Sequence, residues 1–316
     1  MPERRLTDFM PRYETFDIGE FKVPFGIAIS GMSQAGKSTL GREVQRSLGL
    51  LVPGIQVLAF PNSNGFRGVA RDIVDREGLD ENALIPSDMA ASLVGQYLGL
   101  YTDIEYLVHL YESPKEGLRA NAVNKIVAHI GDNPILNPLI NDASCLFLDK
   151  LINTPGYAEK LSMSSPNAVL MDNRCASGEG YDKFRAARMT NAANFIVTCE
   201  EQVAIDRIPG TGAEPNHIRV ENLRSRNKRD RDRTINPTSM PEDYDGAIAI
   251  EKELRANHVS ALITAGEAAA SNPEEVPLTI ATDNLHPERI SDGIIHVVSG
   301  ALRVVKQARR KNLVAA

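Results

Sequence analysis

The stretch Gly31-Met32-Ser33-Gln34-Ala35-Gly36-Lys37-Ser38 constrains this chain more than any other. It fits the pattern G-x-x-x-x-G-K-[ST] at every fixed position. Before it, Phe25–Ser30 reads as a buried strand. After it, Thr39–Leu51 reads as a helix with Leu40, Val44 and Leu48 on one face. In a strand, glycine-rich loop and helix, successive backbone N–H groups and the helix N-terminus point at one place and bind polyphosphate. Gly31–Thr39 is therefore the expected cradle for ATP. Lys37 would reach the β- and γ-phosphates, and the Ser38 hydroxyl would ligate Mg²⁺. The plainer reading, a chance glycine-rich turn, gives no reason for both flanks.

Further short apolar runs read as buried parallel strands: Ile55–Phe60, Ala168–Met171, Asn194–Thr198 and Leu278–Thr282. Helical patterns lie between them. This alternation predicts an α/β fold, a three-layer P-loop architecture with a central parallel sheet. Residues 1–24 mix charge, aromatics and proline and read as an extension. Residues 71–141 read as an inserted, mostly helical subdomain, with a β-like patch at Tyr106–Tyr111 and a hairpin turn at Ser113–Gly117. Asp245–Asn272 reads as Ala-rich helix, and 246–275 as a helical insertion expected on the surface. The last helix is expected over Ser291–Lys311, with Ile294, Val297, Val298 and Leu302 on one side.

Of the 316 residues, 42% are hydrophobic and none is Trp, so the core is aliphatic. A formal net charge of −6 argues against non-specific nucleic-acid binding by the whole molecule. Cys145, Cys175 and Cys199 contain no close pair, so neither a zinc site nor a disulfide framework is indicated. No apolar run approaches membrane-spanning length and no signal peptide is recognisable, so the expected setting is cytoplasmic.

Two more constellations bear on chemistry. Arg219–Arg233 holds seven basic residues. Such a run can be a solvated, salt-bridged helix face or an RNA-binding patch. No stacking aromatics are interleaved with it, which weakens the RNA reading. Downstream of a phosphate loop, the run over 206–236 reads better as a lid whose arginines meet transferring phosphates. In Val169-Leu170-Met171-Asp172-Asn173-Arg174, an acid at the end of a buried strand is placed to meet a metal or substrate. The arginine two residues on can hold an acceptor phosphate.

Together these residues resemble the bacterial cytidylate kinases, from about Phe25 to the C-terminus. Gly65-Phe66-Arg67 resembles the family's Tyr-Arg, and Asp172-Asn173-Arg174 its Asp-Gly-Arg. Leu118-Arg119-Ala120-Asn121-Ala122-Val123 with Pro134 resembles its Ile-Arg-Thr…Val segment. Arg226-Asn227-Lys228-Arg229-Asp230-Arg231-Asp232-Arg233 with Pro237 follows its Arg-Asp-x-x-Asp-x-x-Arg-x-x-x-Pro, departing only at Asn227. The resemblance implies nucleoside monophosphate kinase activity with ATP and Mg²⁺. It places Arg67, Arg174, Arg226 and Arg233 on phosphates, Asp230 on the acceptor ribose and Arg207 at the lid entrance. It puts Asn62 and Asp172 beside the acceptor, with Asp172 also beside the metal. Thr282-Asp283-Asn284-Leu285 resembles the family's C-terminal end.

The departures fall on base recognition. The family's acid after the second strand is replaced in Pro61-Asn62-Ser63. Its three cytosine-reading positions fall on Cys175, Ala128 and Asn137. The acceptor's base specificity is therefore open. A kinase for another small metabolite, a non-catalytic nucleotide sensor and an RNA-binding protein remain alternative readings.

Overall fold

The computed structural model describes residues 24–51, 54–60, 62–113, 116–118, 120–172, 183–208, 216–232, 247–271, 278–283 and 285–314. Strand β1 (Phe25–Gly31) leads through the glycine-rich loop into α1 (Lys37–Leu51), and β2 (Val57–Phe60) follows. Helices α2 (Asn64–Arg76), α3 (Ser87–Tyr97), α4 (Ile104–Glu112), α5 (Asn121–Gly131), α6 (Leu136–Asn153) and α7 (Tyr157–Lys160) fill the span before β3 (Ala168–Asp172). Then come β4 (Thr190–Thr198), α8 (Glu201–Asp206) and α9 (Asn216–Arg231). β5 (Ile248–Ala249), α10 (Ile250–Arg255), α11 (Val259–Ser271), β6 (Leu278–Ala281) and α12 (Pro287–Val314) complete the described elements.

The six strands form one sheet in the order β2-β3-β1-β4-β6-β5, and every pair is parallel. A parallel sheet needs cover on both faces, and β1 is buried along all seven residues. Alternation sends Ile27 and Ile29 to one face, against Leu40, Val44 and Leu48 of α1 and Ile294, Val297 and Val298 of α12. Ala28, Val169 and Met171 face the other way, onto the core of α2–α7. Each fully buried aliphatic side chain contributes roughly 1.5–3 kcal/mol, so these stripes dominate the folding energy.

The helical layer is pinned by one buried carboxylate. Asp72 on α2 accepts hydrogen bonds from Arg76 Nε (2.8 Å), Tyr101 OH (3.0 Å) and Tyr106 OH (2.9 Å). Burial, with that carboxylate beside it, pushes the Tyr101 phenol far above its ordinary value.

Two expectations are corrected. Tyr106–Tyr111 is helical, not β-like. The Asp103 side chain accepts from Glu105 N at 3.0 Å and caps α4, whose Leu107, Val108, Leu110 and Tyr111 turn into the core. Ser113 ends that helix, so a helix and not a hairpin strand leads into the expected turn. The stretch Asp245–Asn272, expected to be helical, and the 246–275 insertion, expected on the surface, instead contribute the edge strand β5, turn at Asn257 (φ 57°) and bury Leu262, Ala265, Gly266 and Ala269. Helices α11 and α12 touch backbone to backbone. A Cβ on Gly266 would lie 1.8 Å from Val297 O, and one on Gly300 would lie 1.9 Å from Ile263 O.

Gly266→Ala must push the two helices apart, because the obstructing atom belongs to the backbone. The expected loss is about 1–3 kcal/mol in urea unfolding. An unchanged midpoint would contradict the close packing of α11 on α12.

Candidate functional site

The site is built where β1 ends. Gly31 turns with φ 136°, and a Cβ there would lie 2.0 Å from Val197 O on β4, so no side chain fits. Gln34 and Gly36 also take positive φ, 64° and 90°. The loop curls over itself with Ala35 N donating to Met32 O at 3.4 Å. Among the described residues, the backbone N–H groups of Gln34, Gly36, Ser38 and Thr39 meet no acceptor. A concave set of orphan donors ahead of a helix is an anion cradle in form.

Three side chains edge this cradle. Lys37, mostly buried, donates from Nζ to Gly31 O (2.8 Å) and Met32 O (2.6 Å), so its ammonium lies across the loop. Ser38 Oγ donates to Asp172 Oδ2 at 2.5 Å, joining the first turn of α1 to the end of β3. Two hard oxygen donors thus stand together at the carboxyl edge of the sheet, where open α/β sheets bind ligands. Arg207 closes the far side. Its guanidinium donates to Thr282 Oγ1 (2.8 Å), Thr282 O (2.7 Å) and Gln34 O (3.3 Å). Thr282 Oγ1 also lies 2.9 Å from Ala35 O. Between the loop, Arg207, Thr282 and the start of α12 at Pro287 and Ile290 opens a cleft of about 330 Å³. Thr282 was flagged by sequence only as part of a C-terminal likeness. Its bridging role depends on β6 ending beside the loop.

The arginine-rich run forms α9, and that helix reaches the loop. Asn227 Oδ1 accepts from Ser33 N at 3.2 Å. Arg226 is half-buried next to it, and Asp230 stands one turn further along the same helix. Leu223 is buried and anchors the helix, while exposed Arg224 pairs with Glu201 on α8. Arg174 and Arg233 lie outside the described residues, as do Arg119, Cys175 and residues 1–23.

The residues expected on the acceptor side have partners of their own. Arg67 is engaged with Leu118 O (2.6 Å) and Asn124 Oδ1 (2.8 Å). Asn62 is buried, and its Oδ1 takes hydrogen bonds from Lys183 Nζ and from Ser144 Oγ at 3.3 Å. Lys183, almost wholly buried, also donates to Asn141 Oδ1 at 3.2 Å. Asn141 Nδ2 donates to Asn137 Oδ1 (2.8 Å), and Asn137 Nδ2 donates to Gly131 O (2.7 Å). Asn137 is thus one link of an internal chain. Sequence reasoning did not find Lys183, because no motif surrounds it and its partners are 42 and 121 residues away.

No family model matches the chain, and no curated protein matches it. Among solved structures, the crystal structure of TT1252 from Thermus thermophilus is similar at 15% identity, covering 88% of this chain and 97% of that one, with a TM-score of 0.36. A superposition that loose carries no argument about function. No helix among the described residues is long and apolar enough to cross a membrane.

Cys199 lies against the loop, with Sγ 3.7 Å from Gln34 O, and burial pushes its thiol up. In a background lacking Cys145 and Cys175, iodoacetamide should label Cys199 slowly at pH 7. The rate should rise only at a more alkaline pH than for an open thiol. Rapid labelling at neutral pH would contradict the enclosed position.

Proposed function

We propose that this chain transfers the γ-phosphoryl group of ATP to a nucleoside monophosphate, giving ADP and the diphosphate. The observation that carries the reading is the Ser38–Asp172 pair beside the orphan amides of the glycine-rich loop, with Lys37 folded across it. The loop amides would hold the phosphates. The Arg207–Thr282 cleft, with its apolar wall at Leu40 and Ile290, would take the base of ATP.

Ser38 and Asp172 fit Mg²⁺, which favours one or two protein oxygens beside phosphate and water oxygens. Bound there, the ion would neutralise phosphate charge. The chain's own task is position and charge. Lys37 needs only to swing from two loop carbonyls to a phosphate. An acceptor phosphate oxygen is already ionised, so its attack on the γ-phosphorus needs no general base. Helix α9 is held to Ser33 by Asn227, and Arg226, its neighbour in the chain, would meet charge on the moving group. Together with the likeness to cytidylate kinases at Asp172 and Arg226–Arg233, this favours phosphoryl transfer over RNA binding. An RNA surface gives no reason for an arginine helix to be tied to a phosphate cradle.

A second reading, a kinase for another small metabolite, is favoured by Asn137. The resemblance makes this position a base reader, yet here its amide is spent on Gly131 O and Asn141.

The test is ATP consumption with Mg²⁺ against a panel of ribo- and deoxyribonucleoside monophosphates. The expected product is a diphosphate. ATP binding with silence across the panel would sink the nucleotide-kinase reading. With any active acceptor, Lys37→Ala should lower kcat by at least ~100-fold while the unfolding midpoint stays in place. Unchanged turnover would remove the loop from the chemistry.

A further inference from the structure

Asn62 lies two residues beyond β2, where the acceptor would lie if the chain is a nucleotide kinase. The orientation of its amide is decided by its neighbours. An ammonium only donates, so the atom facing Lys183 must be the carbonyl oxygen Oδ1. Ser144 Oγ, donating at 3.3 Å, supports the same assignment. Tyr111 OH donates to the Asn62 backbone carbonyl at 3.2 Å and fixes the main chain beneath. The Nδ2 group is then left facing away. Among the described residues it meets no acceptor, and it is not among the fully enclosed polar atoms that lack a partner. The usual ambiguity of an asparagine flip is absent here.

Lys183 is itself held in place. It is 1% exposed and shared between Asn62 Oδ1 and Asn141 Oδ1. The direction of the whole chain is fixed by its two ends, since Asn141 and Asn137 must each turn a carbonyl toward their donor and an amide onward to Gly131 O. A buried ammonium is costly unless fully engaged, and this network is rigid for that reason.

We infer that Lys183 is a positioning residue for acceptor recognition. It locks Asn62 with its NH₂ outward, so the site offers a fixed hydrogen-bond donor and takes an acceptor presenting a lone-pair oxygen or nitrogen there. A cationic or donor-only group is rejected, because it would face the NH₂ unpaired. The inference rests on the kinase reading for its biological meaning but not for its geometry.

The test compares wild type with Lys183→Met, Asn62→Asp and the double variant, using CMP, dCMP, UMP, AMP and GMP as acceptors. Each single change should raise the acceptor KM by about 10-fold and leave the KM for ATP in place. The double variant should be no worse than either single one, because both act through one amide. A merely structural role would instead lower kcat, ATP affinity and thermal stability together, and that result would overturn the inference.

If no monophosphate is phosphorylated, the kinase reading fails, and the orientation is read directly. The ¹⁵N side-chain amide signals of Asn62, assigned by their loss in Asn62→Asp, should shift and broaden in Lys183→Met. Signals indifferent to that change would overturn the inference. Should Lys183→Met not fold, Ser144→Ala removes the second donor to Oδ1 and is read by the same signals.

Discussion

The structure depends on how closely β1 and β4 approach at the point where β1 ends. Gly31 pairs with Val197 in register, and its missing side chain is what allows the strand carbonyl of β4 to stand there. Ser30 Oγ donates to Phe195 O at 3.1 Å just before it. The chain can then leave the sheet at once and curl back, with Gly36 completing the turn into α1. A bulkier residue at Gly31 would separate the two central strands, and the loop, the Ser38–Asp172 pair and the Arg207 bridge would all lose their common base. The candidate site is thus a consequence of sheet geometry more than of the loop alone.

Around that base, three separate segments are brought in by hydrogen bonds from side chains to backbone. Arg207 and Thr282 bind the loop carbonyls of Gln34 and Ala35, Asn227 takes the Ser33 amide, and Lys37 covers Gly31 and Met32. A neutral amide at position 227 accepts a loop N–H without placing negative charge beside the glycine-rich loop. Such contacts are individually modest, about 0.5–1.5 kcal/mol, and a phosphate ligand could exchange them. The region around Asn62 is built in the opposite manner. Its polar groups lie inside a closed chain from Gly131 through Asn137, Asn141 and Lys183 to Asn62. The loop side is held by separate, exchangeable contacts, while the region around Asn62 is held by a connected chain.

Much of this was legible in the sequence. The motif Gly31–Ser38 and the apolar spacing of Leu40, Val44 and Leu48 depend on neighbours only a few residues apart, and five of the six strands contain short apolar runs. Local chemistry decides such features. The helical reading of Ile104–Glu112 was hidden because β-branched and aromatic residues at 106–111 resemble a strand. Only the Asp103 cap and burial against α2 and α6 resolve it. The segment 246–275 misled for a related reason. Ala and Gly read as a bland surface helix, whereas small residues are what permit α11 to touch α12 backbone to backbone.

The sequence by itself determined that a glycine-rich loop follows a buried strand, that the sheet is parallel, and that an acid and an arginine run lie downstream. Those are properties of short windows, fixed by periodicity and by the conformations open to glycine. The tertiary structure alone decided that Asp172 meets Ser38 across 134 residues, that α9 reaches Ser33 across 194, and that Lys183 donates to Asn62 across 121. Hydrogen bonds between such distant residues exist only after the sheet has set its strand order, and no local pattern carries them.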